Sequence, residues 1–381
     1  MTTARLIVTV LILAAGSAVA QAMSGQYVYR PVSVAFVPGF STNGSEWRNV
    51  SSNFSLNIIG GRLGRLQGAE LGGVFNIEEN EALGFQAAGA VNILGGSFGG
   101  VQMAGAVNIV GNEFAGAQMA GAANIVGGDF AGVQMAGAVN IVGNELAGAQ
   151  IAGAVNIAGQ HMSGVQLAGA ANIARAARGL QMAGAANVAE EFSGAQIGVV
   201  NICGKGHGLQ LGVVNIAEDV DVPIGLVSIV ENGPFHVNVW ANEFSPVNVG
   251  IKTGSNTIYN VFMFGFNPNG DSTRVFGGIG LGGHIPLNRF FVDIDVLSHG
   301  VFSGPDWFPE GGSDLLSSLR LTGGWQVTDY LAITAGPTLN VWVSDREDGA
   351  AVPLYDAPLY QWHGSENVRI WPGFTVGLQL L

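Results

Sequence analysis

The sequence predicts an all-β fold, and three observations carry that expectation. A short phrase, Gly-x-Gln-(Met/Leu/Ile)-Ala-Gly-Ala-(Val/Ala)-Asn-(Ile/Val), recurs through the middle of the chain. Glycine lies inside every copy, and each interior glycine costs a helix about 1 kcal/mol. Alternate residues of the phrase also separate by polarity, which is the period of a strand. Val101, Met103, Val107 and Ile109 fall on one face, and Gln102, Ala104, Ala106 and Asn108 on the other.

The repeat keeps strict time. Asn76, Asn92, Asn108, Asn124, Asn140, Asn156 and Asn172 are each 16 residues apart, Asn187 follows after 15, and Asn201 and Asn215 after 14 each. The glutamines Gln86, Gln102, Gln118, Gln134, Gln150, Gln166, Gln181, Gln196 and Gln210 run in parallel with them. About ten units of such fidelity predict a repeat architecture. The residues that define the unit are Gln102, Gly105 and Asn108, then Gln118, Gly121 and Asn124, then Gln134, Gly137 and Asn140, then Gln150, Gly153 and Asn156. Between Gly84 and Ala217 the charged residues are Glu113, Asp129, Glu145, Arg175, Arg178, Glu190, Glu191 and Lys205, all in the segments between phrases.

A sheet with one face in water normally carries charge on that face, so two architectures remain. In the first, each unit is one antiparallel strand of an outer-membrane-type barrel, its apolar face on lipid and its Gln/Ala/Asn face on the lumen; about 9–11 residues is the length a tilted strand needs. In the second, the units are coils of a β-solenoid inserted in a smaller barrel, with Asn and Gln stacked into ladders and the apolar side chains filling the core. The residue before Gln alternates, Val101, Ala117, Val133, Ala149, Val165, a two-strand period that favours hairpins. Against this, the 14-residue units bring Gln and Asn five apart instead of six, which would flip a flat strand unless a bulge restores it. A solenoid corner at Ala-Gly absorbs the change.

Four regions follow along the chain. Residues 1–22, MTTARLIVTVLILAAGSAVAQA, have one basic residue, a short apolar run and an A-x-A site, the pattern of a Sec signal peptide. Residues 23–71 read as N-terminal β-strands, 72–230 as the Gly/Ala-rich β-repeat region, and 231–381 as C-terminal antiparallel barrel strands such as TIYNVFMFGF, RFFVDIDV and WPGFTVGLQLL. Among 381 residues there are 60 Gly, one Cys and a formal charge of −13. One cysteine excludes an internal disulfide scaffold. The acidic balance, with no basic stripe, argues against nucleic acid as a partner.

The segments SVAFVPGFSTNG, NFSLNIIGG, GAELGGVFNI, the GxQxAGAVNI units and NGPFHVNVWANEFSPVNVGIKTG together resemble the bacterial surface-repeat-containing outer-membrane family first described from spirochaetes. The resemblance covers nearly the whole chain after residue 22. It implies a place at the outer membrane or cell surface, and no biochemical mechanism. The 16-residue units, with an added Ala, depart from that family's shorter unit.

No catalytic, cofactor-binding or metal-ligating set emerges. Gly278 to Gly283 spells GxGxxG, but a turn and strand follow where dinucleotide binding needs a helix. Asp293 and Asp295 share a strand face and read as polar residues of a lumen-facing or water-facing strand face. The six histidines lack metal spacing, and Cys203 stands where other units have Ala or Val. Phe114, Phe130, Leu146, Met162 and Phe192 read as strand-end packing, and Gly304–Gly312 and Trp362-His363 as interfacial aromatics. The expected function is therefore a non-enzymatic outer-membrane surface protein with a structural or interaction role, in contact with outer-membrane lipid and with other surface proteins. The alternative is a passive porin-like channel for small solutes.

Overall fold

A computed structural model describes residues 27–269, 272–303, 314–344, 359–363 and 367–381. The expected signal peptide lies outside the described residues. The chain forms two compact units that divide between Val199 and Val200. Both are built from strands, and the repeats are coils of a β-solenoid, about eleven turns in all, followed by an eight-stranded closed barrel.

The solenoid decides between the two readings of the repeats. Neighbouring units pair in parallel, not as hairpins: Phe98–Ala104 lies on Phe114–Ala120 with Gln102 opposite Gln118, and Val107–Val110 lies on Ala123–Val126 with Asn108 opposite Asn124. The antiparallel-barrel reading of this region is thus replaced by the solenoid. The Val/Ala alternation before Gln marks alternate coils of one stack, not hairpin partners. The parallel stack also reaches back into the N-terminal strands, where Val50–Asn57 pairs with Arg65–Gly72 and Arg65–Gly72 with Ala82–Ala88.

Each coil is narrow. A first strand such as Phe98–Ala104 runs to a two-residue corner, Gly105-Ala106, and a second strand, Val107–Val110, runs back to the turn Gly111-Asn112-Glu113. The corner explains the variable Gln-to-Asn spacing. In a 14-residue unit the strand ends at Ile197, the corner is Gly198-Val199, and the alanine that precedes the glycine elsewhere is missing. A corner uncouples the parity of the strands on either side, so Gln196 and Asn201 both remain buried.

Two glycine columns permit this stacking. The glycine two residues before each Gln has a positive φ, from 129° to 135° at Gly100, Gly116, Gly132 and Gly148. That region of backbone space is essentially restricted to glycine and costs other residues about 1–3 kcal/mol. The corner glycines Gly105, Gly121, Gly137 and Gly153 are required for a different reason: a Cβ there would lie 2.0–2.1 Å from the carbonyl oxygen of the glycine one coil earlier.

The barrel strands are Phe235–Asn242, Val247–Gly254, Ile258–Asn269, Ser272–Leu287, Phe290–Ser303, Asp314–Thr328, Leu331–Ser344 and Asn367–Leu380. Each pairs antiparallel with its neighbour, and the last closes on the first through Val237 opposite Leu380 and Asn242 opposite Thr375. Closure removes the sheet edges. Along each strand alternate residues face in and out: Asp293 and Asp295 are buried, while Ile294 and Val296 between and after them are 44% and 60% exposed. The GxGxxG segment lies within Ser272–Leu287, a barrel strand.

The positive-φ column yields a direct test. Gly132→Ala is expected to lower stability by about 1–3 kcal/mol from the backbone conformation alone, with the clash against Gly116 O added to it. Ala131→Gly, one residue earlier on the same strand, is expected to cost about 0.5–1 kcal/mol. Chemical denaturation of the two variants measures both, and equal effects would contradict the glycine requirement.

Candidate functional site

The repeat-defining glutamines and asparagines converge on the solenoid interior. Every one from Gln86 to Gln210 and from Asn76 to Asn215 is at most 1% exposed. They form two side-chain ladders. In the first, each glutamine Nε2 donates to Oε1 of the glutamine one coil earlier, at 2.7–2.9 Å from Gln102 through Gln196. In the second, each asparagine Nδ2 donates to Oδ1 of the asparagine one coil later, at 2.8–3.0 Å from Asn57 through Asn172. The two ladders therefore run in opposite directions, and their side-chain dipoles oppose each other.

The asparagine does a second job. Its other N–H donates to the backbone oxygen just before the next coil's corner: Asn92 to Met103, Asn108 to Met119, Asn124 to Met135 and Asn140 to Ile151, at 2.6–2.8 Å. Both amide protons are thus used, and the corner is tied to the core. A primary amide suits the position because it offers two donors and an acceptor on one short, uncharged side chain.

The ladders end where the sequence substitutes the amide. Glu70 stands in register below Gln86. Gln86 Nε2 donates to Glu70 Oε2 at 3.0 Å and also to Glu78 Oε2, while Asn57 Nδ2 donates to Glu70 Oε1 at 2.8 Å. A carboxyl receives the donors that a glutamine would have to pass on. Burial pushes the Glu70 carboxyl above its ordinary value, and hydrogen bonds from Gln86, Asn57 and Ser55 oppose that shift. In the second unit Pro223 lies opposite Gln210 and offers no side-chain amide. Ser228 lies opposite Asn215, and its hydroxyl donates to Pro223 O at 3.2 Å.

The apolar core occupies the turn side of the coil only. Phe98, Phe114 and Phe130 stack at 5.2 Å between ring centroids, and Leu146 and Met162 continue the column in register. Leu94, Val110, Val126 and Val142 face it from the returning strand. The strand-end packing expected for these turn residues is what forms. The expectation that Val101, Met103, Val107 and Ile109 fill the core is reversed: those side chains point outward, and Met103 is 40% exposed. Gly105, Gly121, Gly137 and Gly153 lie at the corners. Missing from the sequence-derived set are Gly100, Gly116, Gly132 and Gly148, although their invariance at the first position of Gly-x-Gln was a readable signal.

The barrel lumen is also polar and filled. Asp293 pairs with Lys252 at 2.5 Å and with His284 at 2.7 Å. Asp295 accepts from the Arg320 guanidinium at 2.8 Å and from the Tyr259 hydroxyl at 2.5 Å. Towards the other rim the short connection after Asn242 turns inward. Glu243 accepts from Asn340, from the Trp371 indole at 2.9 Å and from Phe374 N at 3.2 Å, and Phe244 packs among Phe276, Val301, Leu316, Trp342 and Trp371. A cavity of about 10 Å³ beside Asn238, Trp240, Lys252 and Arg320 is large enough for about one water. Cys203 is buried in the solenoid part of this unit, 3.4 Å from Gln210 Nε2. Trp362 is exposed on the short strand Tyr360–His363, which pairs antiparallel with Asn367–Leu380, and Gly304–Gly312 lies outside the described residues.

No protein-family model, curated protein or solved structure matches the chain. The site must be read from its own chemistry, and that chemistry is one of satisfied amides and ion pairs enclosed by an apolar exterior.

Two tests follow. Asn124→Ala removes the acceptor of Asn108 and the donor to Met135 O and Asn140; stranded buried polar groups cost about 1–3 kcal/mol each. It should therefore destabilise the first unit more than Gln118→Ala, which breaks ladder bonds only, in equilibrium unfolding. For Glu70, the folded-state pKa lies above the unfolded value of 4.5. Its contribution to stability is thus complete below that pH and is lost as pH rises through the folded-state value. Relative to the parent, Glu70→Gln should become progressively more stable as pH rises above 4.5, as read from denaturation midpoints across a pH series.

Proposed function

We propose that the chain is a non-enzymatic bacterial outer-membrane protein with a structural or interaction role, exported through a Sec signal peptide and related to the surface-repeat-containing outer-membrane proteins it resembles. The observation that carries this reading is the closed eight-stranded barrel with an apolar outer face. Val239, Val249, Phe264, Ile279, Ile294, Leu319, Ile333 and Val376, drawn from all eight strands, are each 40% or more exposed. An outward apolar band around a polar interior is the pattern of an outer-membrane barrel. The connections support it further. One rim has only the tight turns at 255–257, 288–289 and 329–330; the other has short connections from Asn242 to Val247 and from Asn269 to Ser272, and joins Ser303 to Asp314 and Ser344 to Asn367 through longer segments. Bacterial barrels have short turns on one side and long loops on the other in the same way.

The charged lumen is the feature that favours the alternative, a passive channel. The charges of Lys252, Arg320, Asp293 and Asp295 are matched within the lumen, and Phe244 and its aromatic neighbours fill one end. This filling supports the structural role over conduction.

Purified protein is expected to fractionate with outer membranes and to show heat-modifiable mobility in detergent gels, and to give no stable conductance in planar bilayers. A freely soluble periplasmic protein with no mobility shift would overturn the membrane assignment. Reproducible unitary currents would replace the structural role by the channel.

A further inference from the structure

Resting on that membrane reading, we infer that the solenoid itself enters lipid, with its Gly-Ala corner edge buried in the hydrocarbon and its charged turn edge at the aqueous boundary. The occupant of its apolar surface is the acyl-chain region of the bilayer.

The distribution of charge around the coil is the first argument. From Phe98 to Ile197 each coil has four sides: two strand faces, a turn edge and a corner edge. Six of the seven charged residues of this stretch, Glu113, Asp129, Glu145, Arg175, Glu190 and Glu191, belong to the turn edge, and the seventh, Arg178, is on the strand one residue past it, in register with Ser163 and Ala147. Beyond that column, where Ser163, Arg178 and Ser193 follow Ala147 next to the turn, the outward residues of both faces are Val, Ile, Met, Leu, Ala and Gly, and the strand amides that could have met water are turned inward to the ladders. Coils nearer the N-terminus differ, with Arg62 exposed on a strand. A second copy of the chain could cover one face, but it would leave the opposite face and the corner edge bare. A bilayer edge-on to the coil covers the corner edge and both faces at once, and leaves Arg178, next to the turn, at the aqueous boundary.

Backbone chemistry is the second argument. In hydrocarbon an unpaired peptide group costs several kcal/mol, and a corner is where such groups usually meet water. Here the corner N–H groups bond to the coil before: Gly105 N to Ala88 O at 3.2 Å, Ala106 N to Ala90 O at 2.9 Å, and so on for Gly121, Ala122, Gly137 and Ala138. The glycine carbonyl is covered by the next coil's glycine, where an added Cβ would be 2.1 Å from it. The strand from Phe98 to Ala104 has seven residues, or roughly 23 Å at about 3.3 Å each, a depth within the roughly 25 Å apolar band of an outer membrane.

The second unit supplies an independent geometry. Its final coil lies against the barrel wall. Near the tight-turn rim, Ser255 Oγ and Thr257 Oγ1 donate to Asp221 O at 2.9 and 2.6 Å. Asn260 Nδ2 donates to Gly225 O at 2.7 Å, and Gly225 is the corner glycine of that coil. Asn260 faces outward on the strand that also presents Phe264 and Phe266. From turn side to corner, this coil therefore runs from the rim along the outer wall towards the apolar band.

The test uses the full chain with Cys203→Ala, alanine being the residue at the equivalent place in Val214–Ile224. Single cysteines are placed at the corner (Ala122→Cys), on a face (Met135→Cys), at the turn edge (Asn144→Cys) and on the barrel belt (Phe264→Cys). All four positions are exposed, and each variant is labelled with a small fluorophore and reconstituted in phosphatidylcholine vesicles bearing nitroxide-labelled acyl chains. The expected result is several-fold stronger quenching by the acyl nitroxide at positions 122, 135 and 264 than at 144, with iodide in the buffer quenching 144 alone. Quenching at 264 by lipid but at 122 and 135 by iodide overturns this inference and leaves the membrane barrel standing. Shielding of 122 and 135 from both quenchers assigns their cover to protein and also overturns it. Iodide quenching at all four positions overturns both readings. If Ala122→Cys fails to fold, Met135→Cys decides alone.

Discussion

Everything in the first unit depends on the amide ladder, and the ladder depends on identical residues meeting at each coil. A parallel stack places neighbouring strands about 4.8 Å apart, and at that spacing one glutamine reaches the next through a single hydrogen bond. The contact exists only if the register is exact from coil to coil, so the chain cannot vary its Gln, its Asn or the glycines between them. A buried amide left without partners is expensive, whereas a fully satisfied network specifies one register. The repetition in the sequence is the consequence. The ends follow the same logic: Glu70 can accept from Gln86 without passing on a donor, and Ser228 directs its hydroxyl to a backbone oxygen.

The same constraint inverts the ordinary solenoid. With the amides inside, the coil has little interior left for apolar side chains beyond the Phe and Val columns on the turn side. The remaining apolar residues face out. The barrel has a similar organisation by a different route, since its lumen holds Asp293, Asp295, Lys252 and Arg320 while valine, leucine and phenylalanine cover its exterior. In both units most buried polar groups are satisfied by one another, with Ser52 Oγ in the first and Asn238 Nδ2 and Trp342 Nε1 in the second as exceptions, and such internal pairing is what a low-dielectric surrounding requires.

The variation in repeat length is accommodated where the backbone is least constrained. Shortening from 16 to 15 residues occurs at the turn, between Ala158 and His161, where the pairing with the next coil shifts register. Shortening to 14 removes the alanine before the corner glycine. Neither change touches the Gln or Asn columns, and so neither breaks a ladder.

Much of this was legible from residues alone. The strand period, the two sets of faces, the turn location of most charges (Arg178 lies on a strand) and the Gln and Asn columns can be read from the spacing, because a period of two is a local property of the backbone. Most of the C-terminal strands and the shared polar face of Asp293 and Asp295 were equally readable from alternation, whereas the strand Phe235–Asn242 and the closure of eight strands were not. Two things were not. Alternation divides a strand into two faces without saying which is inside, and hydrophobicity alone points to the wrong answer here: Met103 is out and Gln102 is in. Nor does the period distinguish hairpin partners from coils of one stack, since repeat units of equal length are compatible with either direction of pairing. Only the tertiary structure decides these, because the direction of pairing fixes whether like amides meet. Once they meet in parallel, the hydrogen bonds they exchange outweigh the transfer of a few apolar side chains into the core.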